Sequence, residues 1–364
     1  MSSQLQKVGD DIDRLITLDI NRRGVIQQLY SAARRRTMDR PLVLAAAEAL
    51  AKAVSPGSVV LIATGWPDRP WVAPEIGELD GPPGAALLAR NLHRILDAVP
   101  IFLIEDQLRP AMKATACAAG FAVLEPDQTI AAFHSPAPLH AASVLSFPTD
   151  TREAIAESER LIAAYRPAAV IAIEKGGANE KGVIHNARGA DTTDYLAKVD
   201  ELVEKARRAG IVSIGIGDGG NEVGMGSIAD AVRKHVPYGA RCDCPCRAGI
   251  APVVPTDILV AASVSNWGAY GIAACLSVMK SQVDALHDET MELRVLREAA
   301  DAGLIDGNTG YVDPGADGLA AATHAAVITI LRQVVVNALS PSGLALQTPA
   351  HEPSTTHYET KKGK

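Results

Sequence analysis

The stretch "IVSIGIGDGGNEVGMG", residues 211–226, begins as a β-branched apolar run and ends as a glycine-rich turn, with helical character after it. Strand, turn and helix in that order make the repeating unit of a parallel sheet covered by helices. A turn of this kind normally lets backbone N–H groups close on an anion. Gly215, Gly217 and Gly220 even satisfy G-x-G-x-x-G, the dinucleotide pattern. Asp218 stands where a pyrophosphate would approach, however, and its charge opposes one. The acid that should close the next strand is missing too, because Asp257 opens that run.

Working outward, the same alternation continues on both sides. Short apolar runs occur at 58–63, 101–104, 121–124, 143–147, 169–173, 211–216 and 258–262, mostly separated by helix-forming stretches. Near-continuous apolar strands are those of a sheet buried on both faces. The pattern predicts one doubly wound, mostly parallel α/β domain of Rossmann-like three-layer build over 55–340. Residues 1–54 read as helices packed on it, and 341–364, rich in Pro, Ser and Thr, as a loose tail. The clearest helix spans 193–208, with Asp191 and Thr192 as caps and Gly210 as its stop.

Composition narrows the functions. Hydrophobic residues make up 48% of the 364, enough for a large core, while a net charge of −7 argues against general polyanion binding. Arg34, Arg35 and Arg36 form the best candidate for a local basic patch, and read as a solvated helix face. No signal-like segment and no run of about 18 uninterrupted apolar residues is present. Five cysteines without a disulfide layout fit a reducing interior. The expectation is a cytoplasmic protein that binds neither membrane nor nucleic acid, takes a small-molecule substrate and is compatible with a homo-oligomer.

Ligands of open α/β sheets sit beyond the carboxyl ends of the strands. Polar residues collect there: Glu78, Asp80 and Gly81; Glu174, Lys175, His185, Asn186 and Arg188; Gly217, Asp218, Gly219, Asn221 and Glu222; Ser265 and Asn266. Residues 217–222 also match the magnesium turn of haloacid-dehalogenase-type phosphatases, but the only early D-x-D, Asp11 and Asp13, lies in helical surroundings. A hard cation such as Mg²⁺ or Mn²⁺ bound through Asp218 stays open, as does a plain capping role for Asp218 and Glu222 on the next helix. Cys242, Cys244 and Cys246 are spaced more tightly than usual zinc pairs. With no second pair or histidine cluster in view, they read as buried or weakly reactive thiols.

Four blocks, "GELDGPPGA" (77–85), "IEKGGANEKGVIHNARG" (173–189), "GIGDGGNEVGMG" (215–226) and "TDILVAASVSNWGAYG" (256–271), occur in order. Together they resemble the D-glutamate cyclase C-terminal domain family over roughly 63–273. In animals that domain forms the C-terminal part of a longer mitochondrial protein. The resemblance implies an α/β fold and a hydro-lyase that dehydrates D-glutamate to 5-oxo-D-proline. That chemistry suits the residues. Substrate carboxylates call for Lys175, Arg188 or the amides of the glycine loop, and the ammonium calls for Asp218 or Glu222. Lys175, His185, Asp218 and Glu222 are therefore the candidate catalytic set. Glu78, Asp80, Gly81, Asn186, Arg188, Gly217, Gly219, Asn221, Ser265 and Asn266 are the candidate substrate contacts. A divalent-metal hydrolase and a non-catalytic amino-acid-binding module remain alternatives.

Overall fold

The computed structural model describes residues 2–340; the expected tail at 341–364 lies outside the described residues. Strands form where the apolar runs stand: β1 (Val59–Thr64), β2 (Val99–Ile104), β3 (Ala122–Val123), β4 (Ala141–Ser146), β5 (Ala169–Ile173), β6 (Val212–Gly217) and β7 (Ile258–Ala261). They make one seven-stranded sheet in the order β3-β4-β2-β1-β5-β6-β7, and every pairing is parallel. This is the doubly wound α/β architecture. Parallel neighbours need crossovers, which the intervening helices supply.

The strand period of two sorts side chains into two cores. Val60, Ile62, Phe102, Ile171 and Ile173 point to one face, and Leu61, Ala63, Ile101, Leu103, Val170 and Ala172 to the other. The second face is covered by α7 (Thr151–Tyr165) and α8 (Val199–Arg208) through Ala154, Leu161, Leu202 and Val203. The first carries α4 (Pro82–Leu96), α5 (Arg109–Ala118) and α10 (Ser265–Met279). α10 is buried from Ser265 through Val278, as a helix apolar on all sides must be. Three N-terminal helices, α1 (Ser2–Ile16), α2 (Ile26–Arg36) and α3 (Leu42–Ala53), join the same core through Ile12, Ile16, Leu29 and Leu50. Asp13 fastens them, accepting from the Leu42 and Val43 amides at 2.7 and 3.2 Å and from the Tyr30 hydroxyl. Arg34 is drawn inward to Asp10 and Asp13, so the arginine run is partly spent on internal pairing.

The helix expected at 193–208 starts later. Residues 193–195 form a 3₁₀ turn whose Thr193 amide is capped by Asp191, and α8 begins at Val199. The cause is Lys198: its amide donates to Pro148 O and its ammonium binds the Leu196 and Thr193 carbonyls, which holds the chain open before the helix. The last helix, α12 (Ala321–Leu339), is long and apolar enough by composition to cross a membrane. Here it lays Val327, Ile328, Leu331 and Val335 into the core.

From β1 the chain first winds through β2, then returns to β5 on the other side. The C-terminal ends of β1 and β5 therefore flank the topological switch point, where such sheets bind ligands.

Candidate active site

A cavity of about 270 Å³ opens at that switch point, small by the standard of ligand sites and suited to a small molecule. Trp66 comes from the end of β1, Glu174 from β5, and Asp218, Gly219 and Asn221 from β6. Glu78 enters from the β1–α4 loop, and Asn186 and Arg188 from the loop after β5.

Glu174 has φ +47°. A non-glycine residue held in that left-handed region costs about 1–3 kcal/mol and persists only where neighbours enforce it. Ser265 does so here, its hydroxyl donating to the Glu174 carboxylate. The glycine loop is organised by Glu222, whose carboxylate accepts the Asp218, Gly219 and Gly220 amides at 2.8, 2.5 and 2.7 Å. A Cβ on Gly217 would lie 2.8 Å from the Glu222 carboxyl carbon, so glycine is required for this wrap. The amides that would meet a phosphate are thus filled from within. Neither acid caps the following helix, α9 (Ala229–His235), which has no side-chain cap.

Asp218 instead pairs with Arg23, which also donates to Ser263 O at 3.1 Å and lies 3.8 Å from Asp317. Asp218 in turn raises the affinity of Arg23 for its proton. Around this pair the site is crowded with acid. Burial, then repulsion from Asp218, pushes Asp80 and Glu222 up to about 7. Burial first, with neighbouring carboxylates adding, holds Glu78, Glu174 and Asp317 well above the usual carboxylate range. Burial and mutual repulsion thus favour the protonated form of these carboxyls, and an entering cation would favour the charged form. Two oxygen sets converge closely enough to hold one: Asp80, Asp218 and Asp317, and Glu174, Asp218 and Glu222.

Of the residues singled out from sequence, Glu78, Glu174, Asn186, Arg188, Asp218, Gly219 and Asn221 line the cavity. The others stand behind it. Lys175 follows Glu174 but points to the opposite side, fully buried, paired with Glu105 and donating to Gly65 O at 2.6 Å. It holds strand ends together and does not line this cavity. Asp80, Gly81, Ser265 and Asn266 form a cross-linked pair of helix caps. Asp80 accepts the Ser265 and Asn266 amides, both at 2.8 Å, at the start of α10. Asn266 Oδ1 accepts the Gly81 and Gly84 amides at the start of α4, at 3.0 and 2.7 Å. His185 turns its ring toward Cys244 and Cys246, away from the acidic centre.

Comparison with known proteins gives a match over residues 12–332 to the family model described as D-glutamate cyclase-like, C-terminal. The chain belongs to this D-glutamate cyclase-like family. A relative, "D-glutamate cyclase, mitochondrial" of Homo sapiens, is 31% identical over 224 residues, 61% of this chain and 33% of that protein. The alignment thus spans about a third of the relative's length.

The family match takes in parts of the site that the four sequence blocks left out. Arg23 sits between α1 and α2, Arg69 in the β1–α4 loop, and Asp317 just before the C-terminal helix, and all line the cavity. Each lies far in sequence from the glycine loop and carries no local motif. Their one shared signal is charge in a loop, which is too common to single them out.

Proposed function

We propose that this chain cyclises D-glutamate to 5-oxo-D-proline with loss of water. One observation carries the reading: a small cavity at the switch point sets buried (Glu174, Asp218) and half-buried (Glu78, Asp317) carboxyls beside three guanidinium groups (Arg23, Arg69, Arg188). An acidic amino acid has the complementary charges, one ammonium and two carboxylates. Family membership points to the same substrate class.

In this reading Asp218 receives the ammonium, and Arg188 and Arg69 receive carboxylates through charge-assisted hydrogen bonds. Folding the substrate brings its nitrogen onto the carbon of the γ-carboxylate, a near-attack arrangement that removes much of the entropic barrier. One C–N bond forms and one C–O bond breaks. The two protons that nitrogen sheds leave on the departing oxygen as water, so protein carboxyls relay protons with no net gain. Carboxyls whose proton affinity is raised by burial, as those of Glu78 and Glu174 are, are suited to protonating that oxygen.

The carboxylate cluster of Asp80, Asp218 and Asp317 favours a second reading, a hydrolase dependent on Mg²⁺ or Mn²⁺ bound there. The test is conversion of D- and L-glutamate by purified protein, with and without Mg²⁺ or Mn²⁺, following 5-oxoproline by NMR. Formation of 5-oxo-D-proline from D-glutamate is the expected result. Folded protein that binds D-glutamate and never converts it would make the chain an amino-acid-binding module. Absence of both binding and turnover would overturn the substrate assignment.

A further inference from the structure

We propose that His185, Cys242, Cys244 and Cys246 form a structural Zn²⁺ site that clamps the cavity-lining loop 176–192 to the segment 236–257. The three thiols lie within five residues, and the imidazole comes from a loop more than fifty residues earlier. The fold brings one donor atom from each within 4.8 Å of all the others.

Distances support a shared ion. His185 Nε2 lies 3.2 Å from Cys244 Sγ and 3.5 Å from Cys246 Sγ. Cys242 Sγ lies 3.5 Å from Cys244 Sγ and 3.3 Å from Cys246 Sγ. A disulfide needs about 2.05 Å, and all three cysteines are free. Zinc bonds of about 2.3 Å to sulfur and 2.0 Å to nitrogen give tetrahedral edges of roughly 3.5–3.8 Å. The observed spacings fall a few tenths of an ångström inside that, a contraction a central ion would expand. One ring nitrogen can make a single hydrogen bond, yet Nε2 is aimed between two sulfurs. His185 Nδ1 is buried without a hydrogen bond, leaving it to carry the proton when Nε2 binds a metal.

The surroundings suit thiolates. Asn179 Nδ2 donates to Cys246 Sγ and the Cys246 amide donates to Cys244 Sγ, each at 3.4 Å. Such N–H donors offset sulfur charge at metal centres. Four protein ligands close the tetrahedron and leave no open position, which marks a structural role. Residues 236–257 contain no helix or strand, so a cross-link there has much to stabilise. The clamp also bears on the cavity: the His185 carbonyl accepts Asn221 Nδ2 at 2.8 Å, and Asn186 and Arg188 follow it to the cavity wall.

The full chain, purified under reducing conditions, incubated with equimolar Zn²⁺ and desalted, should retain about one zinc per chain by elemental analysis. Cys244→Ser and His185→Ala should retain far less. Because a variant can fail to fold, the wild-type chain loaded with Co²⁺ provides an independent reading. It should show the sulfur-to-cobalt charge-transfer band and strong ligand-field bands of a tetrahedral thiolate site. Wild-type protein retaining below about a tenth of an equivalent would overturn the proposal. So would Co²⁺ bound without the charge-transfer band, which would place the ion on the carboxylates.

Discussion

Lys175 and Arg188 leave the same strand end and meet different surroundings, so their loss should be felt differently. Lys175 is buried against Glu105, and burial lowers its pKa. Lys175→Ala would strand a buried carboxylate, a change worth about 3–5 kcal/mol of stability. Chemical denaturation should report that loss, and an unchanged midpoint would contradict it. Arg188 lines the cavity with its amide held by Asn186 Oδ1 at 3.0 Å. Arg188→Ala should leave stability nearly unchanged and weaken D-glutamate binding by about tenfold to a hundredfold, one charge-assisted hydrogen bond. Calorimetry showing equal affinity would remove Arg188 from recognition. From sequence alone these two residues were indistinguishable, because both are cations shortly after one strand. Lys175 follows directly on Glu174, whose left-handed conformation no local pattern announced, while Arg188 sits in a separate turn held by Asn186.

Among elements, the strands were the most legible, because β1, β2 and β5 are buried at every residue and their composition shows it. The glycine block was legible as a strand-end turn, while its internal wiring through Glu222 was not. A carboxylate that serves its own loop's amides looks the same in sequence as one that serves a ligand. Asp80 and Asn266 teach the same lesson: both seemed ligand contacts, and both are caps that tie α4 to α10. Asn266→Ala removes the acceptor for the Gly81 and Gly84 amides and should cost about 0.5–2 kcal/mol. Denaturant titration reads it, and an unaltered stability would show that the cap is replaceable by solvent. Cys242, Cys244 and Cys246 lacked a visible fourth partner because His185 reaches them only through tertiary folding.

For the whole molecule, buried carboxyls make stability depend on pH. Burial raises Asp13 to about 6 and Asp200 to about 7. A carboxyl whose folded pKa lies above its unfolded value stabilises fully below the unfolded value, near 4, and loses that contribution as pH rises through the folded one. Thermal stability of wild type relative to Asp200→Asn should therefore decline between about pH 4 and 7. Parallel curves for the two proteins would contradict this. We propose the acidic cavity at the switch point as the site where D-glutamate cyclises, with Asp218 at its centre. The most direct test pairs two readings on one preparation of Asp218→Asn, D-glutamate turnover and thermal unfolding. With Asp218 in the reaction, the variant should show a cooperative unfolding transition together with turnover reduced by at least about a hundredfold, the lower range for a positioned acid–base group. Near wild-type turnover from the folded variant would contradict it and leave Asp218 as no more than the partner of Arg23.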